Sequence, residues 1–185
     1  MNDIIHMWPQ VNFLEGLGIV LLVVAIMEIV AIVSHKWVMH GFLWSLHKSH
    51  HEPRHGNFEK NDWFAVMGAV PSIILLVWGT GWNEPFITAI GAGITAYGAI
   101  YFGFHDILVH RRIKHSWNPQ GRYLKRIVQA HRLHHVVESK HGTVSYGFLW
   151  APPVRELLAQ LEASGAGKLR SNKLSRDMAV SEVEV

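Results

Sequence analysis

The chain has 185 residues, no cysteine, and 14 histidines, as many as its aspartates and glutamates together. Without thiols it cannot form disulfides, iron–sulfur clusters or thiolate-ligated haem. A net charge of +3 would suit nucleic acid, but the basic residues lie only between and after long apolar runs, which argues against such a partner.

In chain order, residues 13–33, FLEGLGIVLLVVAIMEIVAIV, carry only Glu15 and Glu28 as charges. Residues 64–82 and 86–104 carry none. Each run is close to the ~20 residues that cross a bilayer as a helix. Three charge-poor runs predict an all-α integral membrane protein with about three transmembrane helices, in preference to a soluble bundle. None of the 17 Lys and Arg falls in residues 1–33 or 64–104; four lie in 34–63 and thirteen after 104. With the N-terminus outside, all seventeen share one side, which the positive-inside rule makes cytoplasmic. Trp37, Trp44 and Trp63 then mark the inner interface, and Trp78 and Trp82 the outer one. The N-terminal segment has no basic residue and does not resemble a cleaved signal.

The first helix is expected to outrun the lipid. No proline interrupts residues 11–52, Gly41 is the first plausible stop, and thirty helical residues reach ~45 Å. Residues 51–62 read as a loop and 79–85 as a tight outer turn. GAGITA (91–96) formally matches a dinucleotide fingerprint but sits inside a span, where its small residues (Ala89, Ala92, Gly93, Ala96) suit close helix packing. SWNPQG (116–121) breaks the chain. Residues 122–138 read as an amphipathic helix at the cytoplasmic interface. Residues 143–153, TVSYGFLWAPP, are too short to span and read as a fourth, re-entrant or interfacial segment. The domain is expected to cover 1–162, with 163–185 a disordered tail.

The histidines follow the apolar runs. His35 and His40 form an H-x4-H pair, as do His105 and His110; His47, His50 and His51 form H-x2-H-H, as do His131, His134 and His135. On a helix each triplet offers its i,i+4 pair to one metal and swings its middle histidine toward a neighbouring centre. The H-x4-H pairs are harder. Positions five apart differ by about 140° on a regular helix, so the two either serve different metals or sit on a π-bulge. Ten imidazoles exceed what one ion accepts, and two metals sharing them is the natural arithmetic. His6, His55, His115 and His141 fall outside the pattern.

Imidazole suits Zn, Cu, Fe and Ni. Catalytic zinc usually takes three protein ligands, and a bis-imidazole haem gives no reason for adjacent His-His pairs. Two non-haem irons with open positions suit oxygen activation. The imidazoles need acceptors behind them, for which Glu59, Asp62 and Asp106 are the nearest acidic candidates. Glu28, inside the first span, should face the bundle interior.

HKWVMHG, HKSHHEPR, FEKND, HDILVH, YLKR, AHRLHH and SYGFLWAPP closely resemble bacterial beta-carotene hydroxylases of the fatty acid hydroxylase/sterol desaturase superfamily, over about residues 20–160. All ten motif histidines have counterparts, while His55 stands where the resemblance leads one to expect a basic residue. The resemblance implies a membrane monooxygenase with a histidine-ligated pair of non-haem irons and O2 as co-substrate, zinc being a possible substitute in purified protein. It further implies hydroxylation of beta-carotene rings at carbon 3 to cryptoxanthin and zeaxanthin, with canthaxanthin a further substrate. Electrons would come from a separate donor such as ferredoxin with its reductase. The enzyme would sit in the bacterial inner membrane with its metals on the cytoplasmic side. The carotenoid would enter from the lipid, along a route that Tyr97, Tyr101, Phe102 and Phe104 could line. A fatty acid or sterol hydroxylase or desaturase with the same iron pair is the nearest alternative; a metal transporter fits poorly, since the motif histidines gather at one edge.

Overall fold

The structure is a computed structural model and describes residues 6–52, 56 and 58–165. The helices are α1 (Phe13–Val33), α2 (Trp44–His51), α3 (Trp63–Gly81), α4 (Pro85–Tyr101), α5 (Arg122–His134) and α6 (Val154–Ala163). Two stretches are π-helical: Ser34–Phe42 continues α1, and Phe102–Val109 continues α4. Asn12 starts α1, its Oδ1 accepting the Leu14 and Glu15 N–H groups while Glu15 reaches back to the Asn12 N–H, a reciprocal cap. Pro85 sits at the first turn of α4, where its fixed φ is pre-set for helix.

Three stretches are long and apolar enough to cross a membrane: Phe13–Phe42, Lys60–Gly81 and Pro85–Val109. Leu21, Ile73, Ile74 and Val77 are exposed along them. Faces that apolar need a hydrocarbon solvent, not water, and the chain is a membrane protein.

The chain divides into two compact units, Met1–Met27 with Trp63–Phe102 and Glu28–Asp62 with Gly103–Val185. In the first, small residues allow close approach. A Cβ on Gly91 would meet Leu76 at 3.0 Å, one on Gly93 would meet Val23 at 2.6 Å, and one on Gly79 would meet the Thr88 backbone at 2.6 Å. Ser72 donates to the Gly91 carbonyl at 2.9 Å. This is the packing use expected of the GAGITA stretch. Tyr97 is buried in this unit and Phe102 is half exposed.

The second unit has its own core: Ile127, Ala130, Leu133, Val137, Val144, Ala151, Leu157 and Leu161, with Phe104 packed against it. Phe104 is therefore a packing residue. Helix α5 is amphipathic as expected, with seven of its thirteen residues buried. It is shorter than the expected 122–138, stopping at His134, and Val136 and Val137 lie fully buried beyond its end. Residues 143–153 contain no helix. Thr143, Val144, Ser145, Gly147 and Phe148 are buried, and the segment lends its carbonyls to histidines. Helix α6, which sequence patterning does not reveal, closes the core and ends at Ala163, one residue past the expected boundary. The expected tail beyond 165 lies outside the described residues.

Candidate metal centre

All ten motif histidines belong to the second unit. The π-helical stretches explain how the H-x4-H pairs converge. Leu43 N–H bonds the Val38 carbonyl at 3.0 Å and His110 N–H bonds the His105 carbonyl at 2.9 Å, each spanning five residues. The wider turn returns residues five apart to nearly one face. His35 and His40 thus enter one group and His105 and His110 the other. Gly41 (φ −104°, ψ −123°) breaks the first stretch, and α2 then carries the first triplet.

The donor nitrogens of His50, His105, His110, His131 and His135 lie within 4.8 Å of one another, as do those of His35, His40, His47 and His134. His51 adjoins the second group, its Nε2 3.3 Å from that of His47. Each triplet is split: His47 and His51 face one group while His50 faces the other, and His131 and His135 face one while His134 faces the other.

Outer acceptors orient the rings. Nδ1 of His35, His40, His51 and His134 donates to the carbonyls of Tyr146, Lys140, Val137 and Val144 at 2.9–3.0 Å. His47 donates to Asn61 Oδ1 at 2.7 Å, His50 to Glu59 Oε2 at 3.0 Å and His105 to Asp106 Oδ1 at 2.8 Å. An oxygen of this kind only accepts, so these Nδ1 atoms hold the proton and Nε2 turns a lone pair inward. Burial pushes the His47 pKa down to about 4, with the Asn61 bond opposing. Burial first, then neighbouring imidazoles, push His50, His134 and His135 well below the ordinary value.

For His35, His40, His47, His50, His105 and His134, inward lone pairs therefore face one another, and His110 and His131 are as closely placed. The Nε2 atoms of His35 and His47, His40 and His134, and His110 and His131 are 3.1 Å apart; those of His50 and His105 are 2.9 Å apart. Neutral nitrogens so placed repel unless a cation lies between them, and burial disfavours a proton in that role. Two nitrogens each ~2.1 Å from one ion sit ~3.0–3.4 Å apart at square or tetrahedral angles, which matches. The residues fit a metal site, and an all-imidazole donor set suits a first-row transition metal.

Of the other histidines, His6 lies 3.9 Å from Glu84, His115 bonds the Ile107 carbonyl, His141 is exposed, and His55 lies outside the described residues. Asp62, an acidic candidate from the sequence, binds Arg112 and accepts the Glu59 N–H.

A profile of the fatty acid hydroxylase family matches residues 20–152, which include all ten histidines. The chain belongs to the fatty acid hydroxylase family. That membership makes it an oxygen-inserting oxidoreductase. It is 50% identical over 149 residues to a beta-carotene hydroxylase of Pantoea ananas, covering 80% of this chain and 85% of the relative. A beta-carotene hydroxylase of Pseudescherichia vulneris is 48% identical over 143 residues, 77% of this chain and 81% of the relative. The chloroplastic beta-carotene 3-hydroxylase 1 of Arabidopsis thaliana is 35% identical over 174 residues, 90% of this chain and 53% of the relative. No solved structure matches.

Several site residues have roles that sequence patterning misses. Trp44, expected in an interfacial belt, is half-buried against His40 and His51, with ring centroids at 5.1 and 5.4 Å. Phe148 stacks on His35 and also meets His105 and His131, touching both groups. Glu28 is buried as expected, and its Oε1 accepts the N–H groups of Phe148, Leu149 and Trp150. Only the words FEKND and SYGFLW, quoted above for their resemblance, hint at Asn61 and Phe148.

Proposed function

We propose that this protein is a carotenoid ring hydroxylase, with the activity carried by residues 1–162. It replaces a C–H hydrogen at carbon 3 of a beta-carotene ring by hydroxyl, giving cryptoxanthin and then zeaxanthin, and accepts canthaxanthin to give astaxanthin. One oxygen atom of O2 enters the product and the other leaves as water, with two electrons and two protons drawn from outside. A ferredoxin and its reductase supply the electrons. The observation that carries the reading is the convergence of nine imidazoles into two groups, with His51 adjoining one of them, within a chain about half identical to beta-carotene hydroxylases.

His50, His105, His110, His131 and His135 would hold one iron, and His35, His40, His47, His51 and His134 the other. Irons bound there would supply the redox chemistry that activates O2. The chain's own residues hold the ring nitrogens in place from behind. Trp44 and Phe148 wall the histidines with apolar surface, which keeps water from the reacting carbon. The absence of Lys and Arg from residues 1–33 and 64–104 supports a cytoplasmic site in a bacterial inner membrane. A lipid-dissolved polyene then enters sideways from the bilayer.

Expression in a beta-carotene-accumulating bacterium, followed by pigment chromatography, tests this. Cryptoxanthin and zeaxanthin should appear. Unchanged beta-carotene beside abundant, iron-loaded protein would refute it. New hydroxylated acyl chains or sterols in the same cells would instead support an acyl or sterol substrate.

A further inference from the structure

The ten imidazoles are not held alike. In the five-membered group, His50 and His105 donate to carboxylates, Glu59 and Asp106. In the other set, His35, His40, His51 and His134 donate to backbone carbonyls, and His47 to an amide oxygen. One side chain ties the carboxylates together. The Arg112 guanidinium lies 3.7 Å from Glu59 Oε2 and 3.6 Å from Asp106 Oδ1, and it hydrogen-bonds Asp62. Asp62 in turn accepts the Glu59 N–H at 2.9 Å. Arg112 and Glu59 are largely buried, their side chains 14% and 9% exposed. Three carboxylates thus stand beside this group, two of them directly behind its imidazoles.

A carboxylate behind a ligating imidazole raises its donor strength and fixes its ring. Negative charge shielded from water also favours a divalent cation directly. A carbonyl or amide dipole does both more weakly.

We infer that the two metal positions are unequal: the position formed by His50, His105, His110, His131 and His135 binds its divalent metal the more tightly, with Glu59, Asp106 and the Arg112 clamp as the positioning residues that make it so. The inference rests on the two-iron reading above.

The full-length protein in detergent, loaded anaerobically with ferrous ion, is titrated with a chelator while retained iron is counted. Two single-equivalent steps should appear, separated by ~10–100-fold in chelator, the usual effect of outer-sphere partners. Glu59→Gln and Asp106→Asn should shift the tighter step by a similar factor and leave the looser one in place. Asn61→Asp, which puts a carboxylate behind His47, should tighten the looser step; it keeps the test open where a variant in the Arg112 cluster fails to fold. A single merged release of two equivalents from the wild-type chain overturns the inference alone, as does a shift of the looser step by Glu59→Gln. A wild-type chain that never retains more than one equivalent refutes the two-iron reading and this inference with it.

Discussion

Replacing Glu28 should loosen the metal centre from behind. Glu28 is 7% exposed, and Oε1 accepts N–H groups from Phe148 and Leu149 at 2.8 Å and from Trp150 at 3.1 Å. A hydrogen bond to a charged group contributes ~1.5–3 kcal/mol, and a buried donor left unmade costs ~1–3 kcal/mol. Only the Phe148 bond is fully buried, so Glu28→Ala should cost about 3–5 kcal/mol rather than three full penalties. Glu28→Gln keeps a neutral acceptor of roughly half the strength, and should cost about 1–2 kcal/mol. The damage reaches the histidines because the same loop supplies the Tyr146 carbonyl to His35 and stacks Phe148 on that ring. Thermal unfolding followed by tryptophan fluorescence, with iron content measured in parallel, should rank wild type above Glu28→Gln above Glu28→Ala. The alanine variant should melt roughly 10 °C lower, taking a few degrees per kcal/mol for a chain of this size. Gly147→Ala is a second route to the same lesion, since its Cβ would lie 2.5 Å from the Trp150 carbonyl oxygen and 2.7 Å from Glu28 Oε1. A Glu28→Ala protein that melts with wild type and keeps its iron would refute the reasoning.

His134→Ala should remove a ligand from one group and abolish turnover; zeaxanthin formation with a normal metal load would contradict its assignment. In the membrane-spanning unit, Gly93→Ala should destabilise by ~1–3 kcal/mol through overpacking, because its Cβ would meet Val23 at 2.6 Å. Gly98→Ala, with nothing within 4 Å, should be neutral or gain up to ~1 kcal/mol of helix propensity; equal melting temperatures for the two variants would argue against that packing. For metal-stripped protein, His47 takes its proton near 6.5 when unfolded but only at about 4 when folded. The unfolded state binds more protons in that window, so stability falls as pH drops from 6.5 toward 4, by ~3 kcal/mol from this group, and is flat above it. A melting temperature constant across that window would exclude the buried, neutral state of His47.

The spans are legible in the sequence because lipid demands a long unbroken apolar run, and α1 and α3 differ from the expected bounds by at most a residue. The split of each triplet between two groups follows from helical angles alone, whereas for His35–His40 and His105–His110 those angles leave open a π-bulge or separate metals, and the structure has the π-helix. The acceptors behind the rings are much harder to read. Tyr146, Lys140, Val137 and Val144 act through backbone carbonyls, which every residue has, so no residue type betrays them. Asn61 is a lone amide in a loop, and Arg112 resembles any basic residue following a span. Glu28 is recognisable as buried, but its partners lie 120 residues onward and only folding brings them near. Burial of α5 escapes a sequence reading because Arg122, Lys125, Arg126 and Arg132 give it a surface-like charge pattern that the helix turns to one side.

Helix α5 supplies His134 to one histidine group and His131 and His135 to the other. During biosynthesis, neither histidine group is complete until α5 has left the ribosome and docked, however early the first span is inserted. A chain truncated before residue 131 therefore lacks members of both groups at once.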